Sequence, residues 1–225
     1  MLGRHSYGQL GLGDTRARGD NSGEMGDNLP TVALGTGRTA KAIAVGAGAT
    51  CVILDTDLLK CWGNNLSGRL GLGDQNDLSG MKNRGDQPNE MGDNLPTVAL
   101  GAGRTVKAVD LSSGSVTCAL LDNNQVKCWG TGGRLGLGDT RSRGGAPGEM
   151  GDALPYVSFG DERSVVSLSL GDVSACVRLD SNEIKCWGNN NFGVLGIGDT
   201  STRGDAPGEM GNALPTVNLG REPGQ

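Results

Sequence analysis

One unit of about 60 residues is repeated almost four times along this chain. The string Leu-Gly-Leu-Gly-Asp occupies 10–14, 70–74 and 135–139, and returns as Leu-Gly-Ile-Gly-Asp at 195–199. Glu-Met-Gly-x-x-Leu-Pro begins at Glu24, Glu90, Glu149 and Glu209, and Lys-Cys-Trp-Gly begins at Lys60, Lys127 and Lys185. A period of this length is typical of propellers and solenoids. We divide the chain into approximate units 1–35 (partial), 36–100, 101–160 and 161–220.

Each complete unit reads as four short β-strands. In the first complete unit these are 41–45, a hairpin of 51–54 and 59–62, and 96–100. The hairpin turn ends at Asp57, and Asp or Asn at this position tolerates a left-handed backbone. The 41 glycines and few aromatic residues favour short strands and tight turns. We therefore predict an all-β fold, a β-propeller of four-stranded antiparallel blades with about three complete blades plus a partial one.

A longer motif lies within the repeat. Trp-Gly-x-Asn-x-x-Gly-x-Leu-Gly-x-Gly-Asp is complete at 62–74 and again at 187–199. It resembles the repeat of the regulator of chromosome condensation family over essentially the whole chain, which implies a ring of blades, seven in that family. The repeated positions that we expect to be structural are Trp62, Trp129, Trp187, Gly63, Gly130, Gly188, Asp14, Asp74, Asp139 and Asp199.

The chain departs from the family pattern in two ways. The family blade usually has a histidine where this chain has cysteine, at positions 51, 118 and 176. The copy number is also incomplete relative to a seven-bladed ring, because the first unit lacks its hairpin. An open stack of blades leaves unpaired edges and apolar faces. We therefore predict a fragment of a larger propeller, with self-association to complete a ring as the less favoured alternative.

The six cysteines form three pairs whose members are ten positions apart: Cys51 and Cys61, Cys118 and Cys128, Cys176 and Cys186. The midpoint of each set falls on the hairpin turn, so the partners face each other across two strands. Directly opposed positions lie about 4.5–5.5 Å apart at Cβ, which is close to the spacing of a disulfide. We predict three disulfides. Buried free thiols and a zinc site are the alternatives, although two thiolates without histidine are a poor zinc ligand set.

Other motifs have structural explanations that compete with functional ones. Arg-Gly-Asp recurs at 18–20, 84–86 and 203–205, which would suit adhesion, but a repeated turn explains it better. The acidic loops could hold calcium, yet their spacing is not that of a calcium loop. Gly35-x-Gly37 lacks the pattern of a phosphate loop. Asn65-Leu-Ser fits a glycosylation site but lies within a repeated turn. His5 is the only histidine and has no repeated partner, which disfavours acid–base catalysis.

Charge and composition limit the classes of partner that the chain can bind. The formal charge of −5 provides no basic face for nucleic acid, and no apolar run is long enough to span a membrane. We expect no cofactor, no metal and no catalysis. The leading hypothesis is a non-catalytic scaffold that binds another protein, of identity unknown, and is extracellular or at the cell surface if the disulfides form. The alternative, which the family resemblance implies, is guanine-nucleotide exchange on a small GTPase, in the cytoplasm or nucleus. The distinctive insertion from Gln75 to Gly80 would bear on that activity.

Overall fold

A computed structural model describes residues 6–46, 48–75, 82–161 and 163–220. Within this part of the chain the regular structure is three antiparallel sheets of three strands each. Sheet 1 contains β1 (Ala40–Gly46), β2 (Ala49–Leu54) and β3 (Leu59–Gly63); sheet 2 contains β4 (Val106–Leu111), β5 (Val116–Leu121) and β6 (Val126–Gly130); sheet 3 contains β7 (Val165–Leu170), β8 (Ser174–Leu179) and β9 (Ile184–Gly188). Short 3-10 turns occupy Gly26–Asn28, Leu66–Gly68, Gly92–Asn94, Gly151–Ala153 and Gly211–Ala213. The all-β prediction is confirmed.

The predicted hairpins form with the predicted turn chemistry. The third turn residue has a left-handed backbone in every sheet, with φ of 61°, 61° and 65° at Asp57, Asn124 and Asn182. Asp and Asn adopt this conformation more readily than other residues with side chains. The turn sets the register so that Cys51 lies directly opposite Cys61, and the equivalent cysteines do so in sheets 2 and 3.

The predicted fourth strand differs from the structure. Residues 96–100 are extended but are not a regular strand, because they are tied to β3 by a single bond from the Val98 N–H to the Leu59 carbonyl at 2.8 Å. The equivalent bonds link Val157 to Val126 and Val217 to Ile184, at 2.9 and 2.8 Å. Each segment opens with a proline, which has no N–H to donate. The blades therefore have three regular strands and one outer extended segment.

The hydrophobic core lies between successive sheets. Cysteines of sheet 1 share one buried cluster with Leu121 and Trp129 of sheet 2. An equivalent cluster joins the cysteines of sheet 2 to Leu179 and Trp187 of sheet 3. A third cluster packs Trp62 against Val32 and Leu34 of the partial unit. Successive units thus bury one another, as expected for repeats that cannot bury an apolar face alone.

The outer faces of the stack are only partly covered by described residues. Val45 on β1 is 68% exposed, whereas Leu111, at the same position of sheet 2, is 6% exposed because sheet 1 covers it. On the other side, sheet 3 places the exposed Arg178 where sheet 1 has the buried Ile53. The two ends therefore differ in chemistry. That the chain is a fragment, or completes a ring by self-association, stays a prediction.

Candidate interaction surface

The repeated tryptophans join each unit to the one before it. The Trp129 indole is fully buried, and its Nε1–H donates to the Arg69 carbonyl at 2.8 Å. The same bond runs from Trp62 to Gln9 at 3.1 Å and from Trp187 to Arg134 at 3.2 Å. Each acceptor immediately precedes the Leu-Gly-x-Gly-Asp motif of the preceding unit. The tryptophans are therefore packing residues between blades rather than a ligand cage.

The first glycine of Leu-Gly-x-Gly-Asp makes room for this indole. Gly71 has φ of +70°, and a Cβ built there would lie 2.8 Å from Nε1 of Trp129. Gly11 and Gly136 approach Trp62 and Trp187 equally closely. A side chain is excluded both by the left-handed backbone and by the contact. This part of the motif is therefore a contact surface for the next unit.

The aspartate that ends the motif pairs with the arginine of the following turn. The Asp139 carboxylate lies 2.8 Å from the Arg143 guanidinium, whose hydrogen bonds hold the pKa of Asp139 below its usual value. The Arg143 carbonyl also accepts the Gly130 N–H at 2.8 Å, next to Trp129. Equivalent ion pairs join Asp14 to Arg18, Asp74 to Arg84 and Asp199 to Arg203. Equivalent backbone hydrogen bonds join Gly63 to Arg84 and Gly188 to Arg203. These aspartates and glycines tie the loop to the blade.

The Arg-Gly-Asp turn is held by the glutamate of Glu-Met-Gly. Oε2 of Glu209 accepts the N–H groups of Gly204, Asp205 and Ala206 at 2.9–3.1 Å. Glu24, Glu90 and Glu149 hold the equivalent turns, and the third copy does so although its sequence is Arg-Gly-Gly. Because the arginine is in an ion pair and the turn is closed around a carboxylate, the tripeptide is organised as a structural turn, which is the explanation that we favour over adhesion.

Two of these glutamates have pKa values shifted in opposite directions. The backbone N–H of Asn21 is the largest influence lowering the pKa of Glu24, to about 2, whereas burial raises the pKa of Glu90. A carboxyl with a depressed pKa stabilises the fold above its unfolded pKa, and the effect is lost as the pH falls through the folded value. We therefore expect the Glu24 turn to persist at pH 5 and to weaken towards pH 2.

Replacing Glu149 by alanine should lower the free energy of unfolding by about 1–2 kcal/mol, because the N–H groups of Gly145 and Ala146 lose a charged acceptor. Glu149→Gln keeps an amide oxygen and should cost less than half as much. Urea unfolding at pH 7 measures both. Equal losses for the two variants would contradict the assignment of the carboxylate as the turn's acceptor.

Each blade also contains a buried lysine that the sequence reasoning did not identify. Lys60 Nζ donates to the carbonyls of Leu34 and Gly92, at 2.9 and 2.7 Å, and so joins the partial unit to the next. Lys185 Nζ joins Phe159 to Gly211 in the same way, and Lys127 Nζ bonds Gly151 and lies over the Tyr156 ring. Burial lowers the pKa of all three lysines. The signal was the lysine of Lys-Cys-Trp-Gly, a charge repeated inside an otherwise apolar hairpin.

The remaining motifs are structural where they are described. The Asn65 side chain is fully buried and its oxygen accepts the Leu70 N–H, which leaves no access for glycosylation. The turn after Gly35 is capped by Asp93, which accepts the Thr36 N–H. His5 lies outside the described residues, as does the insertion after Gln75.

Among the residues that are described, no group of three or more His, Cys, Asp or Glu side chains could hold a metal ion. Nor does that part of the chain contain a helix with the length and apolar character to cross a bilayer.

Open grooves repeat between successive units on the surface. Their volumes are about 420, 300 and 420 Å³. One wall is the Leu-Gly-x-Gly corner with the outer extended segment, and the other is the loop and methionine of the next unit. The lining residues that recur are Gly11, Pro30, Pro88 and Met91 in the first groove, Gly71, Pro96, Pro147 and Met150 in the second, and Gly136, Pro155, Pro207 and Met210 in the third. No charged side chain lines any of these three grooves.

Comparisons with known proteins agree with this geometry. The family model described as the regulator of chromosome condensation (RCC1) repeat matches residues 40–69 and 165–194. The ultraviolet-B receptor UVR8 of Arabidopsis thaliana is 28% identical over 169 residues, which are 72% of this chain and 32% of the receptor. Prp20p of Saccharomyces cerevisiae, studied for its binding to Gsp1p and histones, superposes with a TM-score of 0.55 at 19% identity, over 87% of this chain and 42% of that one. Two segments of the chain thus match the RCC1 repeat, and the chain is similar to proteins built from it.

A second solved structure supports the same fold. Human WBSCR16 covers 100% of the chain with a TM-score of 0.64, at 18% identity, and the match spans 49% of that protein. At such low identity the solved structures show the fold alone. The chain spans about one third to one half of the length of these relatives.

Proposed function

We propose that this RCC1-repeat protein is a non-catalytic scaffold that binds another protein through the outer surface of its blades. The observation that carries the proposal is the repetition of open, uncharged grooves between units. The repeated charged residues serve the fold instead: the aspartates pair with arginines, the glutamates close turns and the lysines bond to carbonyls. Proteins of this kind use repeated surfaces for binding more often than for chemistry.

An extracellular or cell-surface location is part of this proposal. The structure pairs all six cysteines as Cys51–Cys61, Cys118–Cys128 and Cys176–Cys186, each with 4.1 Å between Cα atoms. Structural disulfides persist in oxidising compartments and are rare in the cytosol. A nuclear or cytoplasmic location is the alternative that the family resemblance supports.

Guanine-nucleotide exchange on a small GTPase is the alternative function. The family resemblance supports it, as does the similarity to Prp20p, whose structure was described with its binding to Gsp1p. Exchange depends on loops that differ between blades. The insertion from Gln75 to Gly80 is the feature of this chain that could provide such a loop.

Two measurements separate the hypotheses. Purified, oxidised chain should retain a protein partner from extracellular extracts, and the interaction should be reconstituted with that partner in purified form. In a nucleotide-release assay with a panel of small GTPases loaded with fluorescent GDP, the chain should give the same release rate as buffer. Accelerated release from any one GTPase would favour the exchange factor, and no reproducible partner would contradict the scaffold.

A further inference from the structure

The loops beside the grooves concentrate the negative charge of the chain. Residues 10–30, 70–75, 82–96, 135–155 and 195–215, which lie between the Leu-Gly corner and the Leu-Pro of each unit, contain 14 acidic and seven basic residues. The rest of the sequence contains 11 acidic and 13 basic residues, so it is net positive. Four of the seven cations in the loops are the arginines of the Asp–Arg ion pairs. The surface around the grooves is therefore acidic, although the chain as a whole carries only −5.

In two grooves an aspartate adjoins a lining residue in the sequence, and we call these two side chains the rim carboxylates. Asp86 immediately precedes the lining residue Gln87 of the first groove, and Asp205 immediately precedes Ala206 of the third. Both aspartates are half-buried beside the glutamate that closes the turn, and burial raises the pKa of Asp205. The middle groove has Gly145 at this position and is the smallest of the three. A cation at the rim would relieve the repulsion between each aspartate and its neighbouring glutamate.

The outer segment that forms part of one wall of each groove is an extended chain. In 96–100 the side chains of Val98 and Leu100 are buried, whereas Thr97 and Ala99 face outwards and line the groove. An extended peptide lying along this segment would alternate its side chains in the same way. Small apolar side chains would then enter the groove, while the intervening side chains would project to the acidic rim.

We infer that these grooves bind an extended, positively charged segment of a partner protein, in which basic and small apolar residues alternate. This inference rests on the proposed scaffold function and names the chemistry of its partner. Uncharged walls accept the apolar side chains, and the rim carboxylates select lysine or arginine over acidic residues.

The test uses three fluorescein-labelled 16-residue peptides and the oxidised chain in 50 mM salt. The peptides alternate lysine with alanine, lysine with serine, and glutamate with alanine. Fluorescence anisotropy should show binding of the lysine–alanine peptide, at least tenfold weaker binding of the lysine–serine peptide, and no binding of the glutamate–alanine peptide. Raising the salt to 300 mM should weaken the binding of the lysine–alanine peptide. No binding of the lysine–alanine peptide, or equal binding of the two lysine peptides, would overturn the inference.

A pair of variants locates the interaction. Asp86→Asn with Asp205→Asn removes the rim carboxylates and should weaken the lysine–alanine peptide at least fivefold, without loss of folding. Asp172→Asn with Asp180→Asn removes the same charge from exposed positions outside the grooves and should weaken it less than twofold. Equal effects of the two pairs would mean that net charge alone attracts the peptide. A partner protein whose binding neither pair changes would leave the scaffold function standing and refute the grooves as its site.

Discussion

Replacing Trp129 with alanine should lower the free energy of unfolding by about 3–5 kcal/mol, among the largest effects of any single substitution in the chain. The indole is fully buried between sheets 1 and 2, and it contributes to a cluster that includes residues of both. Its removal leaves a cavity at the junction, and it also leaves the Arg69 carbonyl without the indole N–H. Because blades are stabilised chiefly by their neighbours, we expect a loss of cooperativity between units as well as a loss of stability.

Trp129→Phe separates the two contributions. Phenylalanine fills most of the cavity but cannot donate to the Arg69 carbonyl, so this variant should lose about 1–3 kcal/mol. Urea unfolding followed by circular dichroism and by the fluorescence of Trp62 and Trp187 measures both variants. If alanine at 129 costs less than 1 kcal/mol, the indole does not join the blades as the structure indicates.

The sequence predicted local structure better than it predicted contacts between units. The hairpins, their left-handed Asp57, Asn124 and Asn182, and the opposed cysteines depend on residues within about ten positions of one another, so spacing and turn chemistry were sufficient. The bond from Trp129 to Arg69 spans 60 positions, almost one repeat. Periodicity identifies equivalent residues but not which neighbouring unit they contact.

Two features were missed for a further physical reason. The outer segment, which recurs in every unit, was predicted as a fourth strand. Its Val98 and Leu100 are buried in alternation with exposed residues, but this alternation reflects burial rather than hydrogen bonding. Lys60 was missed because a charged residue in a strand is normally assigned to the solvent face, and its carbonyl acceptors come from segments far away in the sequence. The grooves arise from the juxtaposition of two units, so no single unit contains them.

Removing the central disulfide should cause the second large loss in the free energy of unfolding. Replacing Cys118 and Cys128 together by alanine should lower the free energy of unfolding by about 2–3 kcal/mol from the loss of a short closed loop, according to the chain-entropy estimate. Both cysteines are fully buried in clusters between sheets, so lost packing adds to this value. Cys176 and Cys186 close a loop of the same length, but they lie on the face of sheet 3 that no described sheet covers.

This difference provides a matched control. Cys176→Ala with Cys186→Ala loses the same loop constraint and less packing, so it should be destabilised less than the central double variant. Urea unfolding without reductant compares the two, and addition of dithiothreitol should bring the wild-type chain below either of them. Thiol titration of denatured, unreduced protein should find no free thiols in the wild-type chain. Six free thiols would refute the disulfides, and with them the argument for an oxidising compartment.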